Sequence, residues 1–101
     1  MINFRTYQLS LDFYRAIAPA AEKMPYHLKD QLLRAASSIS LNLAEGWGKQ
    51  SCKDRKRFFQ IAFGSMRESQ CILELHPLDQ RIHKVADILA ASIYKLIRNA
   101  P

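Results

Sequence analysis

One stretch constrains the fold more than any other: Arg34-Ala-Ala-Ser-Ser-Ile-Ser-Leu-Asn-Leu-Ala-Glu-Gly-Trp-Gly48. Between Arg34 and Lys49 its only ionisable side chain is Glu45. A basic chain with 24% charged residues rarely leaves such a gap on a solvated helix. Ala35, Ala36, Ser37, Ser38, Ser40 and Ala44 are all small, so neighbouring backbones can come close. The stretch reads as the end of a buried central helix followed by a glycine stop.

The rest of the chain supports an all-α fold. At 101 residues it suits one domain, 1–101, with a single core that needs no metal or disulfide. Long segments without Gly or Pro favour helices over many short strands. A first helix is expected from Thr6, as its cap, to about Lys23, with Leu9, Phe13, Ala16 and Ile17 at helical spacing. Pro19 should kink it or tighten its last turn, and Met24-Pro25 should end it. The second helix runs from about Tyr26 to Glu45 on a Leu28, Leu32, Ala35, Ala36, Ile39, Leu43 stripe, with Gly46 as a left-handed terminator. The short connection that follows sends the third helix back antiparallel. Ser51 and Asp54 mark its start, and it extends to about Leu75. Phe58, Ala62, Ser65, Ser69 and Ile72 form its core face, widened by Phe59, Ile61, Met66 and Leu73. Gly64 falls on the opposite face, at a cost of about 1 kcal/mol against alanine, which suggests contact with another chain. Pro77 suits the first turn of a fourth helix from about Leu78 to Arg98, with Ile82, Val85, Leu89, Ile93 and Leu96 inward.

Charge gives the main functional hint. Fifteen Lys and Arg against nine Asp and Glu leave a net charge of +6, which suits an anionic partner. Five of the basic residues, Lys49, Lys53, Arg55, Lys56 and Arg57, fall within nine positions, offset only by Asp54. They surround the start of the third helix, where free N–H groups and the helix dipole favour phosphate. A solvated, solubilising face explains the same cluster equally well. Phe58 and Phe59 follow directly, and their spacing points them into the core, which favours packing over service as base-stacking platforms.

Other chemistries find little support. Cys52 and Cys71 lie roughly 28 Å apart along one helix, too far to bridge, and match no zinc spacing. His76 and His83 have Pro77 between them, which breaks their register. Paired Glu-x-x-His motifs of a di-iron bundle are absent. Ser37, Ser38 and Ser40 have no histidine base at a useful spacing, and Gly46-Trp-Gly48 follows no strand. No catalytic residue, metal site or cofactor is therefore expected. Arg34, Ser38, Asn42 and Glu45 form a polar line at i, i+4, i+8 and i+11. With Glu68 they could make one network that fixes helix register or a subunit contact. The N-terminus has no signal-peptide layout and no run is long enough for a membrane span, so a cytoplasmic protein is expected.

At these residues the chain resembles a known family. Arg34 to Lys49, followed by Arg57-Phe-Phe-Gln-Ile-Ala-Phe-Gly-Ser-Met-Arg-Glu68, looks like the bacterial four-helix-bundle proteins encoded in intervening sequences of large-subunit ribosomal RNA genes. The family motif matches at Arg34, Ala35, Ser38, Ile39, Asn42, Ala44, Glu45, Gly46, Gly64, Ser65 and Glu68, and the resemblance is most specific over residues 28–73. It implies an antiparallel up-down four-helix bundle that assembles as a ring-like homopentamer. It also implies distant kinship with the accessory variability determinant of diversity-generating retroelements, a basic pentamer that works with a reverse transcriptase and RNA. Two positions depart from the pattern. Ser40 stands where proline is usual, so no kink is expected there, and Leu75-His-Pro77 makes a shorter turn before the fourth helix.

Two functions follow as expectations. One is a homo-oligomeric accessory protein that touches RNA or DNA phosphates without reading bases, with a reverse transcriptase or another protein as a further partner. The alternative is a scaffold that binds an acidic protein, with nucleic acid irrelevant.

Overall fold

The structure, a computed structural model, describes residues 4–99. Four helices hold nearly all of them: α1 (Arg5–Ala20), α2 (Tyr26–Trp47), α3 (Cys52–Leu75) and α4 (Gln80–Asn99), with a 3-10 turn at Ala21–Lys23 after α1. There is no strand among the described residues. α2 and α3 pack most extensively, and α1 and α4 each touch a member of that pair and each other. The 41 Å long axis is only a little longer than α3 itself, roughly 36 Å at helical rise.

One apolar cluster draws on all four helices. Phe13, Ile17, Leu32, Ile39, Leu43, Met66, Leu73, Leu89 and Ile93 are fully enclosed. The α2 stripe expected from spacing is the observed one, with Leu32, Ala35, Ala36, Ile39 and Leu43 buried and Leu28 half-buried. In α3 the core face centres on Met66, not Ser65, and Ile61 points outward. In α4 the small residues Ala86 and Ala90 are buried, whereas Ile88 and Tyr94 are exposed.

Hydroxyl pairs join three of the helix seams. Thr6 Oγ1 meets Ser92 Oγ at 2.6 Å between α1 and α4. Ser10 Oγ meets Ser40 Oγ at 2.8 Å between α1 and α2. Ser38 Oγ meets Ser65 Oγ at 2.9 Å between α2 and α3. Small hydroxyl side chains let the backbones approach while leaving their own polar atoms paired, which a buried group requires. Thr6 is thus not a cap: it is buried inside α1, and the cap residue Phe4 makes no side-chain cap bond. Ser40 has a structural role in its pair with Ser10, and α2 runs through it unbroken, as expected of a serine there.

The helix ends correct three expectations. Gly46 is not a left-handed terminator. No described residue has positive φ, and Gly46 is buried inside α2. A Cβ on it would sit 2.7 Å from Phe59 Cε1 and 3.1 Å from Phe58 Cβ, so its small size, not its backbone freedom, is what the site needs. α2 instead ends at Trp47, where the Gly48 N–H donates to the Ala44 and Glu45 carbonyls. α4 begins at Gln80, two residues later than the Pro77 rule suggests, because Asp79 caps it.

Asp79 Oδ1 accepts from the Arg81 backbone N–H at 2.8 Å and from Arg81 Nε at 3.4 Å. These bonds, the backbone one foremost, hold the Asp79 carboxyl below its ordinary range. A depressed folded value contributes stability above the unfolded carboxyl's pKa of about 3.9. That contribution is lost as pH falls through the folded value. Asp79→Asn, which cannot titrate, is expected to lose less melting temperature than the wild type between neutral pH and pH 2. Equal acid limbs for the two proteins would contradict this.

Candidate nucleic-acid interface

The basic cluster sits where α2 ends and α3 begins. Ser51 caps α3 by accepting the Asp54 N–H at 3.1 Å. The cap fixes the start of the helix, from whose first two turns Lys53, Arg55, Lys56 and Arg57 project. All are exposed except Lys56, which is half-buried. Arg55 Nε donates to the Lys49 carbonyl at 2.6 Å, which holds the connecting loop against the helix. Lys49 Nζ reaches Glu45 at 3.6 Å. Among the described residues, Lys53, Arg55, Lys56 and Arg57 make no ion pair, so their charge is available to an outside anion.

Two aromatic rings stand among these cations: Phe58, expected in the core, and Trp47, to which the sequence reading gave no role. Phe59 is buried as expected, but Phe58 is only half-buried. Lys49 Nζ lies 5.3 Å from the Phe58 ring centre and the Arg57 guanidinium 4.9 Å from it. Trp47 is 44% exposed. It stacks on Phe4 at 4.3 Å between centroids, and the Arg55 guanidinium is 6.0 Å from its ring centre. Cations close to ring faces attract the ring quadrupole and steady the side chains. A tryptophan just after a charge-poor helix was the available signal, since no apolar stripe includes it.

The fold brings further cations to the same end. Arg5 opens α1, and Lys95 and Arg98 close α4. Arg5 and Lys95 line one cavity with Arg55. This end therefore carries Arg5, Lys49, Lys53, Arg55, Lys56, Arg57, Lys95 and Arg98 against Glu45 and Asp54. Eight basic and two acidic residues give +6, the whole net charge of the chain. The remaining seven basic residues are matched by seven acidic ones.

The five-residue polar network does not close within one chain. Asn42 Nδ2 donates to the Ser38 carbonyl at 2.8 Å and to Ser38 Oγ at 3.1 Å, and Ser38 meets Ser65 on α3. Arg34 faces outward, with its side chain 80% exposed, and reaches only Asp30 at 3.6 Å. Glu45 pairs with Lys49, and Glu68 is exposed. Glu68 belongs to an outward line on α3 of Ile61, Gly64, Glu68, Cys71 and Leu75, all exposed and spaced alternately by three and four residues. Gly64 has open space around it: a Cβ there would meet nothing within 4 Å. No cluster among the described residues could hold a metal ion, and no helix among them is long and apolar enough to cross a membrane.

Comparison with known proteins adds one finding. The family model described as 23S rRNA-intervening sequence protein matches residues 3–86. The match extends well beyond residues 28–73, where the motif residues are densest, and takes in α1 and the start of α4. No curated protein matches the chain. The chain belongs to the 23S rRNA-intervening sequence protein family.

Proposed function

We propose that this member of the 23S rRNA-intervening sequence protein family is a non-enzymatic, homo-oligomeric accessory protein that binds RNA or DNA by its phosphates. The observation that carries the reading is the charge distribution: the entire +6 lies at the end where α1 and α3 begin. Phosphate contacts give affinity without sequence choice. The reading assigns no residue a catalytic role and needs no cofactor.

The same reading includes an antiparallel up-down bundle in one 101-residue domain, assembled as a homopentamer in the cytoplasm. The pairs Phe4–Trp47 and Ser10–Ser40 between α1 and α2, and Ser38–Ser65 and Gly46–Phe59 between α2 and α3, support the antiparallel course, since numbers rise on one helix as they fall on its neighbour. The outward α3 line supports assembly. An alternating three-four spacing of Ile61, Gly64, Glu68, Cys71 and Leu75, apolar or small but for Glu68, is what a helix shows toward a partner helix, and Gly64 has no packing reason within its own chain. Light scattering is expected to give five times the 11.6 kDa chain mass. The implied kinship with the retroelement accessory protein makes a reverse transcriptase the first protein partner to try.

A salt series tests the binding mechanism. Affinity for a single-stranded RNA of about 20 nucleotides is expected to fall at least tenfold between 50 and 200 mM salt, as counterion release requires. Binding that is flat across that range, or absent at 50 mM, would sink the proposal.

A further inference from the structure

The cavity at the basic end has the chemistry of a site for a single nucleotide. It measures about 420 Å³, within the range of roughly 300–1,000 Å³ typical of small-molecule sites. Phe59 and Leu96 give its lining an apolar part. Around the rim stand three cations, Arg5, Arg55 and Lys95, and no acidic residue lines it. Among the described residues none of the three cations makes an ion pair. The half-buried Ser92 hydroxyl, which also meets Thr6, and the exposed Asn99 amide supply hydrogen-bonding groups to the lining.

Each of these features rules something out. A purely apolar ligand would make no use of the three cations, none of which has an ion-pair partner among the described residues. An inorganic anion would leave the apolar part of the lining uncovered. A flat base with a phosphate attached satisfies both, with the base over Phe59 and Leu96 and the phosphate among the cations. Hydroxyl and amide groups can bond base edges, which is how unpaired bases are usually held. The cavity is also continuous with the basic cluster, because Arg55 belongs to both and Cys52 and Lys53 follow each other on the same turn.

We propose that this cavity holds one unpaired nucleotide of the bound strand, base inward and phosphate outward. The inference rests on the strand-binding reading but can fail separately from it. Adenosine 5′-monophosphate is the probe, titrated into the 101-residue protein by calorimetry. One nucleotide per chain is expected to bind. Arg5→Ala with Lys95→Ala, both outside the Lys49–Arg57 cluster, is expected to weaken it at least tenfold. Leu96→Trp, which fills the cavity, is expected to abolish it. The surface double variant decides the matter if Leu96→Trp does not fold.

Strand length and pairing provide the second arm. Wild-type protein is expected to prefer a single-stranded RNA to a blunt duplex of equal length, and the double variant to lose that preference while still retaining duplex. Absence of nucleotide binding, equal binding by the variants, or equally tight binding of inorganic phosphate would overturn the site. Nucleotide binding with no single-strand preference would overturn the strand as its source. If wild-type protein bound the nucleotide but no RNA, the strand-binding reading would fall and the inference with it. If it bound RNA but no nucleotide, only the inference would fall.

Discussion

Gly46→Leu is expected to destabilise the protein by about 3 kcal/mol or more, and Gly46→Ala by about 1–2 kcal/mol. Helix propensity alone points the other way, since glycine to alanine inside a helix gains about 1 kcal/mol. The reversal comes from the 2.7 Å approach of a new Cβ to Phe59 Cε1. Phe59 cannot easily yield. It is 6% exposed and lies 6.0 Å from Phe4, centroid to centroid, and Phe4 is itself stacked on Trp47. Phe58 Cβ is bound to the α3 backbone, so relieving the second contact means moving α3 away from α2. At roughly 4–8 °C per kcal/mol for a domain of this size, the leucine variant should melt at least about 12 °C lower.

Gly64→Ala is the matched control. It has the same propensity gain of about 1 kcal/mol and open space around it, so in a dissociated chain it should raise stability. Thermal melting of both alanine variants, read with their subunit number, separates the cases. A Gly46→Ala protein as stable as wild type would mean that α2 and α3 are not in close contact there. A Gly64→Ala protein that melts lower and loses subunits would place Gly64 in a contact between copies.

The contrast between these two glycines shows what the sequence could and could not reveal. Periodicity located α2 and its inner stripe, because apolar spacing is a local property that burial simply enforces. Ser51 and Asp54 marked the start of α3 for the same reason: a cap is made by residues three apart. Gly46 was misread because a buried helical glycine and a terminating one look alike without the neighbouring Phe59. Thr6 was misread in the same way, since its partner Ser92 lies 86 positions away. Of the candidate site, the run from Lys49 to Arg57 was legible as a local charge cluster. Arg5 and Lys95 were not, because only the packing of α1 and α4 brings them beside Arg55. The polar line on α2 was visible, but which members face inward was not. Ser38 and Asn42 turn toward α3, while Arg34 and Glu45 stay on the rim, where a short apolar stripe cannot fix the angle to within one residue.

Reversing Lys53, Lys56 and Arg57 to glutamate is expected to lower RNA affinity by about 100-fold or more near 0.1 M salt. Each lost phosphate contact should reduce the salt slope by about one, so the slope should fall by roughly three. The substitutions take the formal net charge from +6 to zero, so global charge must be separated from position. Arg15, Arg67 and Lys84 supply the comparison, because reversing them changes the net charge equally in the region where basic and acidic residues balance. That variant should keep most of its affinity, because charges beyond about 10 Å are largely screened at this ionic strength. Equal losses in the two variants would mean that the field of the whole chain, and not the end where α3 begins, attracts the strand. Unchanged RNA retention in the first variant, together with loss of an acidic protein partner, would favour a scaffold. Five of the six side chains are exposed and Lys56 is half-buried without an ion pair; surface charges of this kind contribute little to folding, so both variants should stay folded by circular dichroism, and a loss of binding can be read as a loss of contact.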